Sequence, residues 1–406
     1  MWLILRNPKF RLMWFVVLFD TIGGFSYFTA TGWLALTLTN SPFGVGAIAG
    51  VFGLSHMLTS LFAGVVVDRM DKRTLIIANQ ILQVAPSFII ASLIFTDHIA
   101  LWHLLALAFL RGMTGSVKIT ATRTLVLDVV GKADLLAANA ATDAAFISAG
   151  ILMPPVVGLM MEKTDIGWIY VLMGCAALLS ALLLSSLRGV KSQSRSEQTS
   201  LIQDLKAGLR FVASTPIVRS LIILGLVGEI FAWSHEAMLP VMARDALEMG
   251  PTGLGYLYSA GSVGALIASV ILSTRSDIAN KGRLMMAGYI GLGVFLVLFS
   301  WSPWFLLSLF LLGVTHFLGV ASFTILDTML QTSVPDGMRG RVLSLQSFSF
   351  GLSNVTGFQT GAIAALLGAP VAITIGAGIV AAHGLRMLKG ASVKFRDQQD
   401  AVLADE

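Results

Sequence analysis

The chain has 406 residues, of which 56% are hydrophobic and only 12% charged, and its mean hydropathy is +0.82. That balance excludes a water-soluble fold. The formal charge of +5 does not indicate a nucleic-acid partner, because the basic residues are sorted by membrane side rather than gathered in one patch.

A window of about 20 residues, the length that crosses roughly 30 Å of hydrocarbon, picks out the apolar stretches in chain order. There are twelve: near 12–38, 43–67, 74–96, 100–124, 137–161 and 167–187, then near 217–242, 252–274, 284–301, 303–329, 343–366 and 369–386. Each is expected to be a helix, since hydrocarbon offers backbone groups no other partner. The first run is too long for the apolar core of a cleaved leader and is expected to stay as a span. The single cysteine, Cys175, has no intrachain partner for a disulfide.

With the N-terminus in the cytoplasm, 22 of the 27 lysines and arginines fall on the cytoplasmic side, two outside and three within the fourth span. This asymmetry predicts that both termini are cytoplasmic. The longest polar break separates two six-helix halves, giving an N-terminal bundle over 1–187, a linker over 188–216, a C-terminal bundle over 217–388 and a tail over 389–406. Within the linker, "TSLIQDLKAGLRFV" spaces Leu201, Leu205 and Leu209 four apart with basic residues between. It reads as an interfacial helix or as a solvated linker.

Charges and histidines deep in the hydrocarbon are expensive and mark function. Asp20 lies in span one; His103, Arg111 and Lys118 in span four; Glu229, His235 and Glu236 in span seven; His316 and Asp327 in span ten. Every third helix carries them, as expected if one helix of each three-helix repeat lines a shared cavity. His56, Asp143 and His383 fall outside the pattern. At 1.5 Å per residue, Arg111 is about 16 Å into its span, with Glu229 and His316 at similar depth. Arg111, Thr114, Gly115 and Lys118 share one helical face, and Glu229, Trp233 and Glu236 another. The expected proton-coupling and cavity residues are therefore Asp20, Arg111, Lys118, Glu229, Trp233, Glu236 and His316. In competing readings, Asp20 and Arg111 form a permanent buried pair, Lys118 and Asp327 reach to the interface, and Trp233 is packing.

Between spans two and three, "GVVVDRMDKR" places Gly64, Asp68, Arg69, Lys72 and Arg73 in the pattern G-x-x-x-D-R-x-x-[RK]-[RK]. This resembles the signature of the major facilitator superfamily. "RGMTG" (Arg111, Gly115) is similar to the family's fourth-span motif, with Thr114 where glutamine is usual. "GILMPPVVG" (Gly150, Pro154, Pro155, Gly158) resembles the fifth-span antiporter motif, with Pro154 in place of a glycine. "STRSDIANKGR" reads as a second-half echo of the first motif, while "VPDGMRGRV" and "NPKFRLMW" look most like the subfamily of the enterobactin exporter and macrolide efflux pumps.

The resemblance implies an all-α membrane protein with twelve transmembrane helices in two pseudo-symmetric six-helix bundles, lying as a monomer in the inner (plasma) membrane. It implies that Gly64, Asp68, Arg69, Lys72 and Arg73 latch the halves on the cytoplasmic side, and that Gly150, Pro154, Pro155 and Gly158 bend a helix at the interface between halves. The expected function is secondary active transport by alternating access: proton-coupled export of a small amphipathic molecule such as a siderophore or drug. The partners are then the lipid bilayer, a small-molecule substrate and protons. Proton-coupled import uses the same cavity and stays open as an alternative. A membrane-embedded enzyme has no motif here, an ATP-driven pump lacks a phosphate loop, and a receptor leaves the repeat unexplained. No cofactor or metal is expected.

Overall fold

The computed structural model describes residues 4–187, 201–275, 280–335 and 349–404, together with Met338 and Val342. Residues 188–200 of the linker, 343–348 of the eleventh stretch, and parts of "STRSDIANKGR" and "VPDGMRGRV" lie outside the described residues. All regular structure among the described residues is helical.

The helices start where the sequence provides caps. Asn7 accepts from the backbone of Lys9 and Phe10 ahead of Pro8–Thr39, Ser41 from Phe43 ahead of Pro42–Arg69, and Asp71 from Thr74 ahead of Lys72–Phe95. Several begin on a proline, whose missing N–H is an orphan at a helix start in any case. Ten helices are long and apolar enough to cross a membrane. One of them, Leu101–Lys163, is 63 residues long and holds spans four and five, and residues 349–355 with Gly357–Leu367 supply the eleventh crossing. Twelve crossings result. Within the linker, Leu201–Ser214 is a helix.

Two local features depart from simple spans joined by loops. The join between spans four and five, residues 125–136, is helical almost throughout, and only Gly131 departs, at φ 74° and ψ 176°. That left-handed φ is open to glycine, and it reverses the chain in one residue. Span seven is not a regular helix: Pro216–Val227 gives way to wide turns at Gly228–Ala232, tight turns at Trp233–Met238, a short helix at Leu239–Val241 and wide turns again at Met242–Ala246. Pro240 is one cause, since it cannot donate to the carbonyl of Glu236 four residues back. The hydroxyl of Tyr258 donates to that carbonyl instead, at 3.3 Å.

Among the described residues, the apolar core is shared between the halves toward one end. There a single apolar core runs through both, from Leu34, Ile48 and Leu104 to Met238, Leu254 and Phe299. At the other end the core splits into one cluster per half. Phe10, Val67, Leu125 and Leu184 belong to the first; Leu221, Met286, Leu326 and Val380 belong to the second. The closed end is sealed by two pairs of spans in close contact. Spans two and eleven meet at Gly46, where a Cβ would lie 2.2 Å from the carbonyl oxygen of Gly357. Spans five and eight meet at Gly255, where it would lie 2.3 Å from that of Pro154. Small residues are what allow helices to approach this closely in a membrane. Span one joins the seam where Gly32 faces Pro240 and where Arg244 donates to the carbonyl of Leu36 at 3.3 Å.

Candidate functional site

Spans one and four run antiparallel, so residues whose numbers rise along one and fall along the other face each other. Asp20 meets Lys118 and Tyr27 meets Arg111, each pair seven residues from the next on its helix. The Lys118 Nζ lies 2.7 Å from Asp20 Oδ1, and the two side chains are 16% and 30% exposed. Gln80 of span three donates to the same carboxylate oxygen at 3.1 Å and to the hydroxyl of Ser180 of span six at 3.0 Å. Beside it on span three, Asn79 donates to the carbonyl of Thr114 (2.9 Å), and Gln83, about one turn along, to its hydroxyl (3.0 Å).

This overturns two readings of the buried charges. Asp20 does not pair with Arg111, and Lys118 does not extend to the interface but turns inward to Asp20. Arg111 places its guanidinium carbon 4.4 Å above the ring of Tyr27. The shared face on span four also divides: Arg111 and Lys118 face span one, Thr114 faces span three, and Gly115 lies against His56 of span two. Counted from the closed end, Arg111 and Tyr27 are about 15–18 Å deep, whereas Asp20 and Lys118 are about 25–28 Å deep, toward the end where the halves part.

In the second half, the broken geometry of span seven disperses the face expected for Glu229, Trp233 and Glu236. Glu229 sits beside Ser353 of span eleven in a cleft with Gly225, Phe323 and Leu326. Trp233 packs edge-on to His316 at 5.1 Å and against Gly319, inside its own half. His316 faces His235, with the two Nε2 atoms 3.3 Å apart. Glu236 lies within electrostatic reach of Glu229 and Tyr258. No described hydrogen bond or ion pair joins this group to the one in the first half; each half holds its own polar cluster.

Of the loop motif, Lys72 and Arg73 are engaged within the first half. Lys72 pairs with Asp128 at 2.6 Å, and Arg73 donates to the carbonyls of Leu184 (2.9 Å) and Ser185. Gly64 has open space where a Cβ would be. The fifth-span motif lies in the seam: Gly158 abuts Pro251, Gly150 abuts Ser262, and the backbone stays helical through Pro154 and Pro155. Sequence reasoning passed over Gln80, Ser180, Asn79, Gln83 and Tyr27 because they carry no charge at neutral pH. The run "ANQILQ" held the signal, with three amides on barely more than one turn of an apolar stretch.

The family described as transmembrane secretion effector matches residues 1–404. The chain is 26% identical over 352 residues to the enterobactin exporter EntS of Escherichia coli O81 (strain ED1a), covering 86% of this chain and 82% of that protein. The same identity and coverage relate it to the EntS of Shigella boydii serotype 18. Among solved structures, a mutant of the nucleoside transporter NupG superposes with a TM-score of 0.74 at 14% identity, over 94% of this chain and 99% of that one. A bacterial homologue of the human lysosomal transporter Spinster, in an inward-facing and unoccupied conformation, gives 0.69 at 11% identity over 95% of each chain.

Proposed function

Since the chain belongs to the transmembrane secretion effector family, within the major facilitator superfamily, and is a multi-pass membrane transporter, we propose that it exports a small amphipathic molecule in exchange for protons, by alternating access. The two relatives at 26% identity are enterobactin exporters, which supports the direction and the substrate class. The basic loops lie at the end where the halves part, so by charge asymmetry that end faces the cytoplasm.

The observation that carries the reading is the Asp20–Lys118 pair, two opposite charges inside the membrane, on the open side of the seam and partly exposed there. A permanent structural pair gains nothing from exposure, whereas a proton-exchanging one requires it. With the outer side open, a proton on Asp20 cancels the carboxylate and leaves the Lys118 ammonium without its counter-charge. Opening to the cytoplasm lets the proton leave and the pair re-form, which is the arrangement present here. The proton thus biases which end is closed, and substrate travels the opposite way. As the cytoplasmic end shuts, Gly64 and Asp68 close toward span eleven.

The test uses purified protein in liposomes with a pH-sensitive dye inside, and a panel of siderophores and lipophilic drugs. Wild-type protein is expected to drive substrate uphill against an imposed proton gradient. Asp20→Asn is expected to equilibrate substrate while ignoring the gradient. Equal response of both proteins to the gradient overturns the assignment.

A further inference from the structure

At the closed end, each half supplies a charge to a helix terminus of the other. Span eight, Pro251–Ser273, starts without a cap of its own: Gly250 at the N-cap has no side chain to offer, Pro251 has no N–H, and the first turn holds no acidic residue. The first backbone donor of this helix is therefore that of Thr252. It donates to Oε1 of Glu162, at 3.3 Å, which comes from the end of span five in the first half. The same oxygen lies 2.6 Å from where a Cβ of Gly250 would sit, so the carboxylate occupies the place that a capping side chain on that residue would take. The hydroxyl of Thr252 is a second donor on the same residue, buried and without a hydrogen-bond partner among the described residues.

Glu162 is badly placed for its own helix. It lies in the last turn of Leu101–Lys163, where the free carbonyls make the terminus negative and a carboxylate is unfavourable. The reverse arrangement occurs beside it on the seam. Span one, Pro8–Thr39, has no basic residue in its last turn. The carbonyl of Leu36 in that turn accepts from Asn40 at 2.8 Å and also from Nη1 of Arg244, in the second half, at 3.3 Å. Asp245 holds the guanidinium from its other side, with Oδ1 2.6 Å from Nε. An anion of the first half thus stands at a positive helix end of the second, and a cation of the second at a negative helix end of the first. Neither contact outlasts separation of the halves, because each residue belongs to the half opposite the helix end that it caps.

We propose that Glu162 and Arg244 are reciprocal gate residues: their two caps across the seam favour the closed end and are exchanged for water each time that end opens. They act by positioning the halves and touch no substrate. The inference rests on the alternating-access reading, which requires this end to open.

The test is a population measurement without transport. Full-length protein with Cys175→Ala carries spin labels at Trp102 and Trp304, both exposed at the closed end, in nanodiscs with no gradient. Pulsed electron resonance then gives the ratio of long to short distances. Glu162→Ala is expected to raise that ratio roughly fivefold, the worth of one helix cap. Arg244→Ala is expected to raise it roughly twofold to fivefold, the worth of a charge at a helix end. Glu162→Gln keeps an acceptor without the charge and is expected to lie between wild type and Glu162→Ala. The deciding variant adds Gly250→Ser to Glu162→Ala. A serine there caps span eight from within its own half, equally well whether the seam is open or shut, so thermal stability is expected to recover while the distance ratio stays high. An unchanged ratio in either alanine variant, or a wild-type ratio restored by Gly250→Ser, overturns the proposal; the second result would mean that Glu162 only completes a helix. Either leaves gradient-driven transport through Asp20 standing, and loss of coupling in Asp20→Asn leaves the shift in Glu162→Ala standing, so the two readings fail separately.

Discussion

The hydroxyl of Ser259 in span eight donates a 2.8 Å hydrogen bond to the backbone carbonyl of Ile151 in span five. That carbonyl is available because Pro155, four residues on, has no N–H to offer it. A proline that interrupts one helix thereby provides an acceptor for the other half of the molecule. Ser259→Ala removes one such bond, worth about 1 kcal/mol. The population with this end closed is therefore expected to fall roughly fivefold relative to the alternative state. Labelling of a cysteine placed in the seam reads the change, and unaltered labelling would show that the bond does not help hold the seam.

The seam also depends on glycine. At Gly46 any side chain would collide with the carbonyl of Gly357, backbone against backbone. Gly46→Leu is expected to prevent this end from closing, so that the protein inserts normally but is held in the opposite state and does not turn over. Cross-linking between cysteines on spans two and eleven at the closed end should fail in the variant. Efficient cross-linking together with normal transport is the contrary outcome.

The ion pair between Asp20 and Lys118 is partly exposed, so breaking it should cost less than the 3–5 kcal/mol typical of a fully buried pair, about 2 kcal/mol for either single replacement. Asp20→Asn with Lys118→Met together are expected to cost less than the sum of the singles, since the double variant leaves no unmatched charge. Thermal unfolding of the four proteins in one detergent measures this coupling; strict additivity means that the two residues do not act as a pair.

The loop motif divides into two groups that should respond differently. Lys72 is held by Asp128 within the first half, and Asp128→Asn leaves a buried ammonium without its counter-charge. Its expected effect is lower abundance and stability. Asp68→Asn, by contrast, is expected to reduce transport at normal abundance, because its proposed work lies in closing the open end. Quantifying protein and substrate flux for both variants separates the cases, and a matched loss of abundance and flux in Asp68→Asn leaves only a structural role.

The number of crossings is legible in the sequence because hydrophobic length is a local property, whereas the place of Gly150, Pro154 and Gly158 followed only from the family resemblance. Partner choice is not legible. Asp20 faces Lys118 rather than Arg111 because antiparallel register decides it, as the matching seven-residue steps from Asp20 to Tyr27 and from Lys118 to Arg111 require. Span seven misled for a different reason: a 3.6-residue count presumes regular turns, and the wide and tight turns from Gly228 to Ala246 alter which side chains align. The uncharged amides of span three carry as much of the network as the charges do, and counting charges alone hides them.

The most direct test of the account is a pair of distances in one molecule. With Cys175, the sole cysteine, replaced, spin labels at Trp102 and Trp304 report the closed end and labels at Leu136 and Leu284 report the other; all four positions are exposed. Pulsed electron resonance across a range of pH is predicted to show the first distance lengthening as the second shortens, with the exchange lost in Asp20→Asn. Distances that stay fixed, or that grow and shrink together, would contradict alternating access driven from the Asp20–Lys118 pair.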